Sequence, residues 1–560
     1  MKINLKIFKK SIRKIKVKKP LEKKGFVIFQ IDGLSHEAIK KAFSLNLMPH
    51  LKKIIAGDGY SFDKYFIGVP SDTPFFQAGL LYGDNDNVPG FRWIERETGD
   101  EIIFKKPESA GYIEEALAKK NRGLLTGGSS YVNLFAGGAS RSTFTLSTFS
   151  IRYLFKRKVR NFDIFIVFMF HIFTFLKTFF YVFFEFLIEI WERVVDVVKK
   201  RDIRPEGLFP FARVMSNVIF KEIETFGAIM DISRGVPSIY LDYIGYDEIS
   251  HHRGPYSLSA LSTLKAIDRK IYHIYKEIKK AERKYDFFII SDHGHTPSIP
   301  FFHLNHKKKL ENIIADYIKN DNFAIYEFDT GYNAVIKRLI IYINDFFKKG
   351  KCNKILNNFK GKIEANSMPS GNFNKNINWE RDKIIYIMNS GPMANIYFSG
   401  KSSKMSASEV EKLFPGMVLM LAKTKGVGFI MGQDAHGEAV IFDKNSHRFH
   451  RFSDFCENGA GDCLSLKHII DDYDSKEEKD VALSSIQKFC KFNNAGDLIL
   501  FGEYDGRRII NFENQLGAHG GIGGKQNMPF AVWHSSTPFA FGSVNNSCKI
   551  YEFLYNNYVV

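Results

Sequence analysis

Residues 25–32 read GFVIFQID, a run of apolar side chains that ends at an aspartate. Such a near-continuous run is typical of a strand buried on both faces, as in parallel sheets. Similar runs recur along the chain, and helical stretches such as residues 258–281 lie between several of them. The recurring runs are Ser238–Tyr243 and residues 286–291, 427–431, 439–442 and 497–501. The alternation predicts an α/β fold with a mainly parallel central sheet flanked by helices.

The composition excludes several classes of protein. At 560 residues the chain has the length of three to four average domains, at about 150 residues each. Apolar residues make up 45% and charged residues 25%, which excludes a disordered chain, a collagen-like repeat and a multi-span membrane protein. The five cysteines form no CxxC pair, so neither a disulfide framework nor a thiolate metal site is expected. These features, and the absence of a secretory signal pattern, predict a cytoplasmic location.

The chain is strongly basic. It carries 79 Lys and Arg against 61 Asp and Glu, a formal net charge of +18. Residues 1–24 alone hold eleven basic side chains and one acid, Glu22. This balance favours polyanionic partners, namely nucleic acid, an anionic membrane surface or a phosphate-bearing substrate. The arm at residues 1–24 is either a solvated tail or a contact to such a partner, and no specific nucleic-acid motif is present.

Residues 164–183 are dominated by Phe, Ile and Val and are long enough to cross a bilayer. Only His171 and Lys177 interrupt the apolar run with ionisable groups. Polar residues recur three to four positions apart within and beyond it: Thr174, Thr178, Tyr181, Glu185, Glu189, Glu192 and Asp196. The spacing predicts one polar stripe on a wide apolar helix. Such a helix could span a membrane, lie in its surface or pack against protein.

Acids and histidines follow the predicted strands where ligands bind in open α/β sheets. Asp32 ends the first run, Asp247 and His251 follow the run Ser238–Tyr243, and Asp292-His293 follows the next. His519 lies in the glycine-rich segment GAHGGIGG. Carboxylate oxygens and imidazole nitrogens are ligands of zinc or manganese. Each of these residues alone is weak evidence for a metal site, since an aspartate after a strand is more often a helix cap. Their order and separation together carry the interpretation.

This set resembles the alkaline phosphatase superfamily, specifically its type I phosphodiesterase/nucleotide pyrophosphatase branch. Residues 70–74 (PSDTP), about forty positions after Asp32, are similar to the nucleophile loop of that branch. The metal motifs of the branch are matched by Asp247-x-x-x-His251-x-x-Gly254-Pro255, Asp292-His293-Gly294 and His519-Gly520. The resemblance runs from residue 26 to about residue 530 in the order of the family, and it implies an alkaline-phosphatase-like fold.

The resemblance implies a site with two divalent metal ions, with zinc as the expected ion and manganese as the alternative. Asp247, His251 and His519 would hold one ion. Asp32, Asp292 and His293 would hold the other, together with the hydroxyl of Thr73. Thr73 would attack phosphorus and form a phosphothreonine that water then hydrolyses. Ser71 is a rival nucleophile, and Thr73 could also cap a helix over residues 74–81.

The sequence departs from the family in the segment after the nucleophile. The nucleotide-cleaving members carry a phosphate-binding Asn there, whereas residues 88–93 read VPGFRW. Arg92 is therefore a candidate anion clamp, with a surface arginine as the alternative. His252 and His295 are candidate substrate contacts. The missing Asn puts nucleotide specificity in doubt.

The predicted function is that of a metal-dependent phosphoric ester hydrolase, more specifically a phosphodiesterase. A phosphomonoesterase with the same site and an inert lipid- or nucleic-acid-binding protein are the alternatives. Nucleotides and lipid headgroups are the expected substrate classes.

If the predicted site residues form one site, the apolar helix cannot cross a membrane a single time. Asp32 and Thr73 precede it and the other site residues follow it, so a single membrane crossing would separate them. We therefore expect peripheral attachment to an anionic inner membrane face, or burial of the helix against protein, including a homodimer. The predicted catalytic core comprises residues 25–139, 236–309 and 496–560. A helical insertion would occupy residues 140–235, and a second insertion or continuation of the core residues 310–495.

Overall fold

The computed structural model describes residues 23–149, 172–198, 209–318, 324–326, 384–399, 403–457 and 463–559. Residues 1–22 of the predicted basic arm and residues 164–171 of the apolar run lie outside this part of the chain. Parts of the two predicted insertions lie outside it as well.

Nineteen strands and seventeen α-helices are numbered here in chain order within the described residues. The strands are β1 (Gly25–Ile31), β2 (Tyr60–Lys64), β3 (Arg92–Ile94), β4 (Glu101–Ile103), β5 (Ser129–Tyr131), β6 (Arg141–Thr143), β7 (Ser238–Tyr243), β8 (Tyr285–Ile290), β9 (Thr296–Pro300), β10 (Ala324–Tyr326), β11 (Ile384–Ser390), β12 (Met393–Phe398), β13 (Val427–Gln433), β14 (Ala439–Asp443), β15 (Arg448–Arg451), β16 (Leu498–Gly502), β17 (Ile509–Asn511), β18 (Gly517–Ala518) and β19 (Phe530–His534). The helices are α1 (His36–Ser44), α2 (Pro49–Gly57), α3 (Thr73–Tyr82), α4 (Pro107–Lys120), α5 (Ile172–Val198), α6 (Phe209–Val214), α7 (Lys221–Ser233), α8 (Gly245–Arg253), α9 (Leu258–Ile278), α10 (Phe301–Leu304), α11 (Leu310–Tyr317), α12 (Ala407–Leu413), α13 (Met417–Lys423), α14 (Phe452–Glu457), α15 (Leu464–Asp471), α16 (Lys476–Cys490) and α17 (Cys548–Leu554).

The central sheet has the strand order β2-β19-β8-β1-β7-β5-β6. β1 pairs in parallel with β7 and β8, and β5 pairs in parallel with β6 and β7. Among the described residues, the antiparallel pairs of this sheet are those of β19 with β2 and with β8, near one edge. Apolar side chains from both faces of β1 are buried, in two separate core clusters. The predicted α/β class with a mainly parallel central sheet is confirmed.

A second sheet of seven strands has the order β10-β11-β12-β16-β13-β14-β15 and is antiparallel except for the β10–β11 pair. Three of the predicted runs, at residues 427–431, 439–442 and 497–501, form strands here and not in the parallel sheet. β13, β14 and β16 are buried along nearly their whole length. Antiparallel strands covered on both faces therefore give the same apolar runs as parallel ones, and the sequence pattern did not separate the two sheets.

A buried ion pair ties the β3–β4 hairpin to this second sheet. Arg96 Nη2 donates to Asp497 Oδ1 at 2.7 Å, and both side chains are almost fully buried. The carboxylate of Asp497 also accepts hydrogen bonds from the backbone amides of Phe398 and Met405, each at 2.8 Å. Both oxygens of the Asp497 carboxylate thus have hydrogen-bond partners. The negative charge of this carboxylate balances the buried positive charge of the Arg96 guanidinium.

Removal of this carboxylate is expected to destabilise the fold strongly. Asp497→Ala leaves the buried Arg96 charge without its counter-ion and should lower the free energy of unfolding by about 3–5 kcal/mol. Glu438→Ala is the matched control, because its pair with Lys491 has a similar length, 2.7 Å, but is exposed on both sides. It should cost less than about 1 kcal/mol. Thermal and urea unfolding measure both, and equal losses would contradict the expectation.

Candidate active site

The carboxyl ends of β1, β7 and β8 bring the predicted acids to one edge of the central sheet. Asp32 follows β1, and Asp292-His293 follows the neighbouring β8. Asp247 and His251 lie four positions apart on α8, the helix that follows β7. This spacing places both side chains on one face of the helix. The parallel register therefore assembles residues separated by more than two hundred positions.

A short antiparallel pairing completes the set. β18 pairs with β9, with Ala518 opposite Thr296, so His519 lies beside the segment that carries His293 and His295. The rings of His293 and His519 stack with centroids 3.7 Å apart. The structure thus brings together all seven predicted metal ligands, namely Asp32, Thr73, Asp247, His251, Asp292, His293 and His519.

The first group of donors contains Asp247, His251, His519 and, in addition, His295. One ligand atom from each lies within 4.8 Å of the others. The Nε2 atoms of His251 and His519 are 3.0 Å apart. Asp247 Oδ1 is 3.3 Å from His295 Nε2 and 3.6 Å from His519 Nε2.

Backbone carbonyls fix the orientation of these imidazoles. The Nδ1 atoms of His251, His295 and His519 contact the carbonyl oxygens of Gly517, Gly33 and Ser71 at 3.1, 3.0 and 3.1 Å. A carbonyl only accepts, so Nδ1 carries the proton and donates in each case. The Nε2 lone pairs then point into the cluster, which is the arrangement of metal-binding histidines.

The second group surrounds His293. Its Nε2 lies 3.3 Å from Asp32 Oδ1 and 3.4 Å from Asp292 Oδ2. Thr73 Oγ1 is 3.3 Å from the same nitrogen. The amide of Gly33 donates to Asp292 Oδ1 at 3.2 Å, which holds this carboxylate against the end of β1.

The buried polar atoms of both groups fit divalent cations. Four buried atoms have no hydrogen-bond partner among the described residues: Asp32 Oδ1, Asp247 Oδ1, Asp292 Oδ2 and His295 Nε2. Burial and the neighbouring Asp292 raise the pKa of Asp32, and burial raises the pKa of Asp292. Burial also lowers the pKa of His295 to about 3. Crowded carboxylates and neutral imidazoles without partners are what bound cations would satisfy, and the N/O donor set suits zinc or manganese.

Thr73 and Ser71 have different surroundings. α3 begins at Thr73, and the carboxylate of Asp72 caps it by accepting from the Phe75 amide at 3.0 Å. The alternative that Thr73 itself caps this helix is therefore wrong. Ser71 Oγ donates to the Gly521 carbonyl at 2.9 Å, away from the histidines. Of the two hydroxyls, only that of Thr73 faces the cluster.

The predicted substrate contacts have different positions. Arg92 is buried, not a surface arginine, and its Nη2 is 2.6 Å from Glu513 Oε1. Arg92 and His252 line a cleft of about 120 Å³ beside Asp247, His251 and His519. The ring of His252 stacks on Phe209 with centroids 3.7 Å apart. His295 does not line this cleft but lies within the first donor group.

Two members of the cluster were missed as such from the sequence. His295 was expected to contact substrate, although its spacing of two positions from His293 could have indicated a further donor. Asp242 lies at the end of β7 and accepts from Gln77 Nε2 at 2.9 Å. Burial and Asp32 raise the pKa of Asp242. An acid within the apolar run SIYLDY was the available signal, because a buried carboxylate needs a partner.

A known protein family matches the part of the chain that carries several residues of this cluster. Residues 174–386 match the family model described as type I phosphodiesterase/nucleotide pyrophosphatase. The predicted family resemblance is confirmed. The matched stretch includes Asp247, His251, Asp292, His293 and His295, whereas Asp32, Thr73 and His519 lie outside it. This match to part of the chain supports a phosphoric ester hydrolase of the phosphodiesterase/pyrophosphatase type.

Solved structures with a similar course of the chain share little sequence with it. Phosphonoacetate hydrolase from Sinorhizobium meliloti 1021, in complex with phosphonoformate, is 11% identical with a TM-score of 0.43, and 96% of each chain is covered. Human ectonucleotide pyrophosphatase/phosphodiesterase 5 is 11% identical with a TM-score of 0.44, covering 95% of this chain and 94% of that one. Both TM-scores lie below 0.5, and no conclusion rests on them. Nothing among the curated proteins matches the chain.

Proposed function

We propose that the protein is a metal-dependent phosphodiesterase with Thr73 as its nucleophile. The observation that carries the proposal is the position of the Thr73 hydroxyl. It lies at the first residue of α3, 3.3 Å from His293 Nε2, beside the unpartnered oxygens of Asp32 and Asp292. Thr73 is buried, with only 5% of its surface exposed.

Two sets of residues would hold the two divalent ions. Asp247, His251, His519 and His295 form one set, and Asp32, Asp292, His293 and Thr73 form the other. Bound ions at these sets would supply positive charge against the phosphoryl oxygens and favour ionisation of the Thr73 hydroxyl. Zinc suits this mixture of carboxylate and imidazole donors, with manganese as the alternative.

The residues of the chain bind and orient the substrate around this hydroxyl. The positive end of the α3 helix dipole favours a negatively charged phosphoryl group next to Thr73. Thr73 Oγ1 forms a bond to phosphorus, the bond from phosphorus to the leaving oxygen breaks, and the alcohol departs with a proton. The phosphorylated Thr73 still carries the second ester group, and attack by water breaks its bond to Thr73 Oγ1, which releases a phosphomonoester and restores the Thr73 hydroxyl. Arg92, paired with Glu513, lines the cleft and would offer its remaining N–H groups to a phosphoryl oxygen.

A pair of chromogenic esters tests the proposed reaction. We expect hydrolysis of bis-p-nitrophenyl phosphate, loss of that activity with chelator, and its return with zinc. The rate should exceed that for p-nitrophenyl phosphate, the monoester. A preference for the monoester would favour the phosphomonoesterase alternative. The absence of both activities in the zinc-loaded protein would contradict the proposal.

His295 provides a test of metal binding that is independent of activity. As a fourth donor, it should contribute to zinc affinity, and His295→Ala should weaken zinc binding by at least about 10-fold. His436→Ala, at an exposed turn between β13 and β14, is the control and should bind zinc like the wild type. Competition with a chromophoric chelator measures both. Unchanged zinc affinity with a raised KM would instead assign His295 to substrate contact, the role expected from the sequence.

The partition of the chain also belongs to this proposal. The core would comprise residues 25–139, 236–309 and 496–560, with insertions at residues 140–235 and 310–495. The predicted homodimer, and the choice between nucleotide and lipid-headgroup substrates, stay predictions.

A further inference from the structure

Helix α5 presents its polar side to the protein and its apolar side outward. Thr178 and Glu189 are buried, and Glu189 accepts from Arg213 Nη1 at 2.7 Å and from Arg253 Nη2 at 2.8 Å. Arg213 also binds Glu185 at 2.8 Å and Glu192 at 2.7 Å. Thr178, Glu185, Glu189 and Glu192 of the predicted polar stripe therefore lie on the inner face of the helix, whereas Tyr181 is exposed. This is the reverse of a surface helix in a globular protein, whose apolar stripe faces the core.

The outward face of α5 exposes large apolar side chains over most of its length. Val198 is 75% exposed, Trp191 67% and Phe179 62%. Phe180, Phe183 and Phe184 are each more than half exposed. Within the described residues, no helix is both long enough and apolar enough to cross a membrane. An apolar face of this size on a non-spanning helix marks a site of interaction.

A basic cavity of about 260 Å³ adjoins this face. It lies between α5, α7 and α9, and Phe184 and Ile188 belong to both the cavity wall and the exposed face. Its cationic lining consists of Lys177, Lys221, Arg269 and Lys270. The apolar surface and the basic cavity are thus continuous.

The acids of the cavity do not neutralise all of these cations. Lys270 pairs with Glu222, and Glu185 is engaged by Arg213 and Asn217. The Lys221 ammonium group forms no hydrogen bond or ion pair with the described residues, and burial together with the neighbouring Lys270 lowers its pKa to about 8. Lysines that destabilise each other's charge favour an anionic guest.

We propose that α5 and this cavity dock the protein onto the surface of an anionic membrane. The helix lies in the headgroup layer with its apolar side chains among the acyl chains, and the cavity receives a lipid phosphate. Amphipathic helices with aromatic side chains and nearby basic groups bind lipid interfaces in this way.

The positive charge of the chain favours a lipid surface over a second copy of the chain as the partner of this face. The sequence on both sides of α5 is basic: residues 151–160 hold five Lys and Arg without an acid, and residues 199–204 hold four with one. A second copy would bring its own +18 net charge to the same surface and repel it. Anionic headgroups have the opposite charge and match both the flanks and the cavity.

This surface is connected to the candidate active site. Arg253, which binds Glu189 of α5, is the last residue of α8, the helix that carries Asp247 and His251. Docking through α5 therefore places that helix near the lipid surface. The docking proposal does not depend on the proposed chemistry.

Vesicle binding by the full chain tests the proposal. We expect sedimentation with phosphatidylcholine vesicles that contain phosphatidylglycerol, weaker binding to pure phosphatidylcholine, and a blue shift of tryptophan emission that Trp191→Phe removes. The double variant Phe179→Glu/Phe183→Glu should bind the anionic vesicles at least about 10-fold more weakly. Lys221→Gln should reduce the preference for anionic over neutral vesicles.

Two controls test whether a loss of vesicle binding has a general cause, such as an added surface charge or misfolding. Leu464→Glu changes a side chain that is 66% exposed elsewhere on the protein and should leave vesicle binding unchanged. Far-ultraviolet circular dichroism and the Tm should be the same for the double variant and the wild type, since the replaced side chains face outward. Equal vesicle binding by the wild type and a folded double variant would overturn the proposal. A lipid-free dimer that this variant abolishes, without vesicle binding by the wild type, would instead assign the face to a second copy.

Discussion

Thr73→Ala is expected to lower kcat/KM for bis-p-nitrophenyl phosphate by at least about 10³-fold, because it removes the atom that forms the bond to phosphorus. The substitution deletes a hydroxyl and a methyl group at the first residue of α3, whose cap is Asp72. The helix should therefore persist, and zinc should still bind through Asp32, Asp292 and His293. Steady-state kinetics on the zinc-loaded variant, together with its zinc content and Tm, measure the three expectations.

Ser71 offers a matched control two positions away. Its hydroxyl is as buried as that of Thr73 but donates to Gly521 and Gln526. Ser71→Ala should lower the stability by about 1 kcal/mol through the lost hydrogen bond, and it should keep most of the activity per folded molecule. Thr73→Ser, which retains a hydroxyl, should recover part of the rate. Full activity in Thr73→Ala, or a larger loss in Ser71→Ala, would exclude Thr73 as the nucleophile.

Three strands of the central sheet, β1, β7 and β8, could be predicted because each is a fully buried apolar run. The predicted Ser238–Tyr243 is β7 residue for residue, and β1 and β8 differ from their predicted runs by one position. The second sheet could not be separated, because its antiparallel strands are equally buried. Pairing direction depends on connections and long-range register, which apolar runs do not encode.

The candidate site could be predicted to the extent that its residues follow strands. Asp32, Asp247 and Asp292 end or follow parallel strands, so their convergence is a consequence of sheet geometry. That His295 and His519 share one group was not predictable, since their proximity depends on the β18–β9 pairing between segments more than two hundred residues apart. The ion pair of Arg92 with Glu513 is equally remote in sequence. Residue spacing along the sequence therefore indicates which residues are metal donors, but it does not show which of them belong to the same donor group.

Asp32→Asn is expected to stabilise the metal-free protein while it abolishes the stabilisation by zinc. Asp32 is buried beside Asp292 and Asp247, and its Oδ1 has no hydrogen-bond partner. The neutral amide removes one of several mutually repelling buried charges, and its NH₂ group can donate to the unpartnered Asp292 Oδ2. We expect a gain of about 1–2 kcal/mol in the free energy of unfolding without metal. Zinc should raise the Tm of the wild type and raise that of the variant far less.

The variant should be more stable than the wild type without metal but should gain less stability from zinc. This combination distinguishes a metal ligand from a carboxylate with a structural role. If Asp32 only stabilised the end of β1, its replacement would lower the Tm equally with and without zinc. Asp480→Asn, on the exposed surface of α16, controls for the general effect of one lost negative charge and should change the stability by less than about 0.5 kcal/mol. Thermal unfolding in chelator and in zinc gives both comparisons. A destabilised variant with an unchanged response to zinc would show that the ion binds elsewhere, since a cluster of buried acids is unfavourable only until cations balance its charge.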